Sequence, residues 1–184
     1  RRALPGGAGE GAQVTMAALS PRPAPTDTTP RWVVEVSLKP GNPDPAGAAL
    51  LQQINALGIP GVTEARVNAL YELRGKLSAS HATDVARQLL ADPVTQDFRI
   101  DRSGASIPTG PHWRLEVWLR PSVTDSVGES VCKAVKDLSL PELASARAGT
   151  AYLLFGRLQK AGAEKILEKL LANPVVHRTS AEPR

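Results

Sequence analysis

The sequence has few of the residues from which redox centres and metal sites are built. Its 184 residues include one cysteine, Cys132, and three histidines, His81, His112 and His177, which are far apart. A single cysteine cannot form an internal disulfide, and these spacings match no metal-binding motif. Cys132 lies in a helical apolar pattern, so we interpret it as a small buried hydrophobe rather than a nucleophile. We therefore expect neither a metal site nor a reactive thiol.

Aromatic residues and long apolar runs are also scarce. Aromatics make up 4% of a chain that is 42% hydrophobic, so the core must be aliphatic. No apolar run approaches the roughly 20 residues that cross a bilayer. The net charge of +4 includes +2 from residues 1–31 and +1 from residues 178–184. The rest of the chain is therefore near +1 and has no basic stripe. We expect a cytoplasmic protein that binds neither membranes nor nucleic acid.

Catalytic motifs are missing as well. There is no Walker loop, the glycines of residues 6–9 follow no strand, and no serine lies in a nucleophile elbow. Asp44 and Asp125 could be imagined as acid–base groups, but a helix cap explains both positions better. The sequence predicts no catalytic site in this chain.

What the chain does contain is a duplication. Two segments match at a constant offset of 81 residues without a gap. The matched pairs include Trp32/Trp113, Leu38/Leu119, Pro40/Pro121, Asp44/Asp125, Gly47/Gly128, Arg66/Arg147, Tyr71/Tyr152, Gly75/Gly156 and Pro93/Pro174. Each copy spans roughly 65–70 residues, which is a whole small domain rather than a solenoid unit of 20–50 residues. Because duplicated domains tend to pack against each other, we expect an intramolecular pseudo-dimer.

The duplication divides the chain into five parts. Residues 1–30 are rich in Ala, Pro and Gly, and we interpret them as a disordered extension that contains Met16, an alternative natural start. The first repeat is expected at residues 31–102, a linker at 103–111, the second repeat at 112–178 and a tail at 179–184.

Each repeat is predicted to have the order β-α-β-β-α-β. Alternating apolar residues over 32–38 predict a strand, and Asp44-Pro45 is typical of a helix start. Residues 62–67 and 70–73 are predicted to form a hairpin with its turn at Asn68. A second helix ends before Pro93, and a short strand follows. This order predicts an α+β protein with two ferredoxin-like repeats.

Such a repeat leaves one face of its sheet uncovered by helices. Residues 151–155 are apolar on both sides, as in a strand that is buried on both faces. Leu115 and Val117 point inward, so Trp118 must project from the opposite face. We expect this face to be buried against the sister repeat or a partner protein.

Five segments of the first repeat carry a resemblance to a known family. They are residues 34–41 (VEVSLKPG), 44–47 (DPAG), 62–67 (VTEARV), 71–73 (YEL) and 89–94 (LLADPV). In this order they resemble the small PurS subunit of phosphoribosylformylglycinamidine synthase. The second repeat is more divergent but keeps the pattern at Arg120, Asp125 and Arg147.

The resemblance implies a non-catalytic part of an ATP-dependent, glutamine-using ligase of purine biosynthesis. PurS bridges a synthetase (PurL-type) and a glutaminase (PurQ-type) subunit and supports ammonia transfer between them. It would bind no cofactor itself, whereas its partners would use ATP, Mg²⁺ and glutamine. The tandem chain is similar either to a free-standing fused PurS pair or to the PurS-like domain of a longer enzyme, and further dimerisation is compatible with both.

Ten residues are the expected partner-interface or shape determinants. They are Lys39, Pro40, Asp44, Arg66, Tyr71, Trp118, Arg120, Asp125, Arg147 and Tyr152. The second repeat departs from the family pattern at residues 122–126 and 148–150, so one hypothesis is that only the first repeat keeps the original partner surface. Two alternatives are an ACT-like module that senses a small metabolite and a scaffold of an unrelated pathway.

Overall fold

The computed structural model describes residues 30–101 and 110–184. The expectations for residues 1–29, including Met16, and for most of the predicted linker lie outside the described residues. Among the helices that are described, none is long and apolar enough to cross a membrane.

The two repeats have the same succession of elements. The first contains β1 (Arg31–Leu38), α1 (Pro45–Ala56), β2 (Val62–Gly75), α2 (Ala79–Val85) and β3 (Gln96–Asp101). The second contains β4 (His112–Leu119), α3 (Ser126–Asp137), β5 (Leu143–Gly156), α4 (Lys160–Ile166) and β6 (His177–Pro183). Each second helix continues into a π-helical turn, at Ala86–Leu90 and Leu167–Leu171. The α+β class is confirmed, with three strands and two α-helices in the described part of each repeat.

The predicted hairpin at Asn68 is wrong. Residues 62–75 form one continuous strand of 14 residues, and Asn68 lies in its middle, opposite Ala151 of β5. The strand does not fold back because the backbone groups on one of its edges pair with another strand almost from end to end. One edge of β2 pairs with β1, and the other pairs with β5 along nearly its whole length. Each repeat is therefore β-α-β-α-β rather than β-α-β-β-α-β.

This β2–β5 pairing joins the repeats into one antiparallel sheet with the order β3-β1-β2-β5-β4-β6. The expectation that the two bare sheet faces would cover each other is wrong, since the repeats meet edge to edge. Edge pairing satisfies two rows of backbone groups that would otherwise remain open at a sheet edge. Residues 179–183, expected as a tail, belong to β6 because they pair with β4.

The four α-helices of the described residues lie on one face of the sheet, and each of the two main cores contains residues of both repeats. Leu50 and Ile54 of α1 share a core with Ile166, which is in α4 of the other repeat. Val85 of α2 shares the second core with Val135 of α3. Neither repeat can complete its hydrophobic core alone, because the helices that cover it come from both copies.

The first helix of each repeat is held close to the sheet. Pro45 occupies the first turn of α1, as predicted, and Asp44 is the N-cap. Gly47 lies so near β2 that a Cβ atom there would be 2.1 Å from the carbonyl oxygen of Ala65. Gly128 has the same relation to Ala146 of β5, at 2.3 Å. This close approach explains why glycine occurs at both positions of the duplication.

Candidate functional site

The face of the sheet opposite the helices, called the open face below, is buried along its centre. Trp118 is only 7% exposed and packs with Leu70 of the first repeat and Ala151. The predicted burial of Trp118 is confirmed, but the indole packs beside Leu70 within the shared sheet rather than beneath a second sheet. Leu153, on the same face, is 3% exposed.

A charged network on the open face links the two repeats. Glu35 Oε1 accepts hydrogen bonds from Asn68 Nδ2 at 2.6 Å and from Arg114 Nη1 at 3.1 Å. Arg114 Nε also donates to Glu116 Oε1 at 2.8 Å. Burial lowers the pKa of Arg114, but the hydrogen bonds and charges of Glu35 and Glu116 outweigh it and raise the pKa above its ordinary value. Arg114 is therefore a permanent cation that ties β4 to β1 across two intervening strands.

Beside this network lies a cleft of about 790 Å³. It forms where β1 ends and β2 continues without a neighbour on that side. Its lining is largely polar and includes the buried Glu35, whose Oε2 atom has no hydrogen-bond partner among the residues that the structure describes. Leu153 of the second repeat closes one side, so both repeats contribute to the cleft.

Four of the predicted interface residues line this cleft: Lys39, Pro40, Asp44 and Arg66. Lys39 Nζ donates to the Pro93 carbonyl, which holds the loop after β1 against the loop before β3. Pro40 is exposed. Arg66 pairs with Glu64 at 2.6 Å, and its guanidinium lies 5.4 Å from the ring centroid of Phe155.

Asp44 is a structural residue. Its Oδ1 accepts from the Gly47 amide at 2.8 Å, which caps α1, and its Oδ2 accepts from the Val67 amide of β2 at 2.9 Å. The interpretation of Asp44 as a cap is confirmed. The second contact, to a strand amide 23 residues away, was not foreseen because sequence spacing does not reveal it.

The second repeat repeats these contacts with its own predicted residues. Asp125 accepts from the amides of Gly128 and Ala148 at 2.8 and 2.7 Å. Arg120 Nε donates to the Pro174 carbonyl at 3.0 Å, which matches the Lys39 contact. Arg147 differs from Arg66, since its Nη1 donates to the Leu119 carbonyl at 3.3 Å.

The two predicted tyrosines lie away from the cleft. Tyr71 and Tyr152 are half-buried on the helix-covered face, where each packs against one of the main cores. Burial raises the pKa of Tyr152. Cys132 is also partly buried among core residues, and burial raises the pKa of its thiol, which disfavours the reactive thiolate. Among the described residues, no cluster of His, Cys, Asp and Glu could hold a metal ion.

The two repeats differ at the cleft. Ser37 and Asn68 line it in the first repeat, and their counterparts are Trp118 and Gly149. Trp118 occupies the space above Gly149, and its Nε1 donates to Glu116 Oε2 at 2.9 Å. The first repeat therefore has an open polar cleft where the second has a packed indole.

Sequence reasoning missed a second charged cluster on the open face, which is called the arginine cluster below. Glu72 is 2% exposed, and Arg31, Arg74 and Arg178 approach its carboxylate. The signal that could have revealed it is a difference between the repeats: the position of Glu72 is Leu153 in the second repeat, and that of Arg74 is Phe155. Where one repeat has a charged residue and the other has an apolar residue at the equivalent position, the two copies have diverged.

A sequence model of the family described as PurS, phosphoribosylformylglycinamidine (FGAM) synthase, matches the chain twice, over residues 31–104 and 112–184. Together these matches cover well over half of the chain. The comparison with curated proteins found no match.

Proposed function

We propose that this chain, which belongs to the PurS family of FGAM synthase, joins the synthetase and glutaminase components of the enzyme. It catalyses no step of the reaction itself. Family membership makes the chain a component of FGAM synthase in purine biosynthesis. The observation that carries the bridging role is the duplication: two PurS repeats share one sheet, and Trp118 fills in the second the space that is an open cleft in the first.

The fused repeats act as a pseudo-dimer of two β-α-β-α-β units. Support comes from the central β2–β5 ladder and from the two cores, each of which contains helices of both copies. A pair built in this way does not dissociate at low concentration, because the two halves are covalently linked. The unit therefore presents its partner surfaces at a fixed spacing.

A bridge between two different proteins needs two different surfaces, whereas a symmetric dimer presents the same surface twice. In this chain the equivalent surfaces differ, with Ser37 and Asn68 at one end and Trp118 and Gly149 at the other. The loop of Lys39 and Pro40 would contact one component, and the loop of Arg120 and Pro121 the other. The components, of PurL and PurQ type, would supply the chemistry with ATP, Mg²⁺ and glutamine, and the bridge would support ammonia transfer between them.

Reconstitution tests this role. The synthetase and glutaminase are assayed for FGAM formation with and without the chain, using either glutamine or ammonium chloride as the nitrogen source. We expect glutamine-dependent turnover to require the chain and ammonia-dependent turnover to be nearly independent of it. Equal glutamine-dependent rates in its presence and absence would refute the bridging role.

Charge-reversal variants then distinguish the two ends. Lys39→Glu and Arg120→Glu are matched, because each removes a cation that donates to a carbonyl of a proline. In pull-downs, we expect each variant to weaken capture of a different component. If both variants weaken the same component equally, the assignment of one end to each partner is wrong.

A further inference from the structure

Two glutamates at equivalent positions of the repeats, Glu35 and Glu116, have different surroundings. Both contact Arg114: Glu35 Oε1 accepts from its Nη1 at 3.1 Å, and Glu116 Oε1 accepts from its Nε at 2.8 Å. They differ at the second carboxylate oxygen. Glu116 Oε2 accepts from the indole Nε1 of Trp118 at 2.9 Å, whereas Glu35 Oε2 has no hydrogen-bond partner among the described residues. The second repeat therefore completes a contact that the first repeat leaves open.

The missing donor follows from one difference between the repeats. The first repeat has Ser37 at the position of Trp118, so it has no indole that could reach the glutamate. Ser37 and Glu35 line the cleft instead. The side chain of Glu35 is only 8% exposed, and a buried carboxylate oxygen without a partner destabilises the protein. A hydrogen-bond donor that entered the cleft would remove this cost.

The size and lining of the cleft suit a small planar molecule. Its volume of about 790 Å³ lies within the range of small-molecule sites, which is about 300–1,000 Å³. Leu153, which is 3% exposed, supplies an apolar wall. Ser37 and Asn68 add a hydroxyl and an amide, each of which can donate or accept hydrogen bonds. An apolar wall beside several polar groups matches a flat ring with polar edges.

The charges around Glu35 indicate which kind of donor is needed. Arg114 already pairs with Glu35, so the missing contact is a hydrogen bond rather than a second ion pair. In the second repeat, the Arg178 guanidinium lies 5.6 Å from the ring centroid of Trp118. The equivalent position of the first repeat is Asp97, which lines the cleft and is a hydrogen-bond acceptor. The cleft therefore favours a ligand that has N–H groups.

We propose that the cleft of the first repeat binds a planar nitrogen heterocycle, which donates an N–H group to Glu35 Oε2 as Trp118 donates to Glu116 Oε2. Glu35 Oε2 is shielded from solvent, so binding requires the side chains around it to shift slightly. The site belongs to the first repeat alone, because Trp118 occupies the space above Gly149 in the second. It is separate from the bridging role, since its ligand is neither of the protein components.

Titration of the purified full chain with benzimidazole and with N-methylbenzimidazole tests this proposal. The two probes have nearly the same size and shape, but only benzimidazole has an N–H group. We expect saturable binding of benzimidazole by calorimetry and at least about tenfold weaker binding of the methylated probe, since a hydrogen bond to a charged group contributes about 1.4 kcal/mol or more. Equal binding of the two probes would overturn the proposal. Absence of saturable benzimidazole binding up to about 10 mM would also overturn it, in favour of water as the partner of Glu35.

A double variant transfers the arrangement of the second repeat to the first. Ser37→Trp with Asn68→Gly introduces the residue types of Trp118 and Gly149, so the new indole should fill the cleft and abolish benzimidazole binding. Ser180→Trp is the matched control, because it adds an indole at an exposed position of β6 outside the cleft, and it should leave binding unchanged.

Two results with these variants would contradict the proposal: unchanged binding in the double variant, or equal loss of binding in Ser180→Trp. Circular dichroism verifies that each variant is folded. If the double variant does not fold, the comparison of the two probes on the wild-type chain decides alone. The titrations use the chain without its partners, so they can fail while the reconstitution succeeds, and the reverse.

Discussion

Trp118 lies against Gly149 so closely that a Cβ atom on Gly149 would be 2.5 Å from the indole ring. The contact fills in the second repeat the space that remains an open cleft in the first. The two residues depend on each other in one direction, since the indole would collide with a side chain such as that of Asn68, which the first repeat has in place of Gly149.

The first prediction concerns this contact. Gly149→Ala should destabilise the protein by about 1–3 kcal/mol, because the indole must move out of a packed position. Urea denaturation followed by circular dichroism measures the loss. In the double variant with Trp118→Ser, the Gly149→Ala substitution should cost much less, since the clash is absent. Equal costs in both backgrounds would show that the two residues are not coupled.

The second prediction concerns the double role of Asp44. Asp44→Ala should lower the free energy of unfolding by about 2–3 kcal/mol, because it removes a helix cap and leaves the Val67 amide of β2 unpaired. Asp125→Ala should give a similar loss, since Asp125 makes the equivalent two contacts. Asp137→Ala, at the exposed end of α3, is the control and should change stability by less than about 0.5 kcal/mol. A loss at Asp44 no larger than this control would contradict the double role.

The third prediction concerns the ion pair that crosses between the repeats. Arg114→Met should destabilise the chain by about 3–5 kcal/mol, because it leaves the buried Glu35 without its cation. Adding Glu35→Gln should recover part of the loss, since the buried carboxylate is then neutral and only the more exposed Glu116 is left without Arg114. The exposed Lys160–Glu164 pair, at 3.8 Å, is the comparison, and Lys160→Met should cost less than about 0.5 kcal/mol. If the Glu35→Gln addition makes the loss larger, unpaired charge is not its cause.

The fourth prediction is a pH dependence. The amide of Val94 and the hydroxyl of Thr95 donate to the Asp92 carboxylate and lower its pKa below the ordinary value of 3.8. A lowered pKa in the folded state stabilises the protein above pH 3.8, and the stabilisation is lost as the pH falls through the folded pKa. Wild type should therefore lose more stability than Asp92→Asn when the pH is lowered from about 5 to about 3.

The second repeat supplies the control for this pH dependence. Asn173 stands at the position that corresponds to Asp92, and its Oδ1 accepts from the Val175 amide at 2.9 Å. Asparagine therefore keeps the turn without the charge. Thermal unfolding at a series of pH values measures the difference, and parallel curves for wild type and Asp92→Asn would rule out a contribution from this carboxylate.

The sequence predicted the local features of this protein because they depend on neighbouring residues. The offset of 81 residues, the strand at β1 and the helix starts at Asp44 and Asp125 were all readable from side-chain patterns. The burial of Trp118 followed from strict alternation along β4. The site residues around Lys39 and Asp44 were found as a group because they are adjacent in sequence as well as in space.

The sequence alone thus determined two repeats, their class and the starts of their first helices, because period and capping are local properties of the chain. Only the tertiary structure decided how the copies join, since alternation over residues 62–75 is the same whether the strand turns at Asn68 or continues beside β5. The arginine cluster and the cleft also depend on that choice. Both bring together side chains from the two copies, and only the β2–β5 ladder places them side by side.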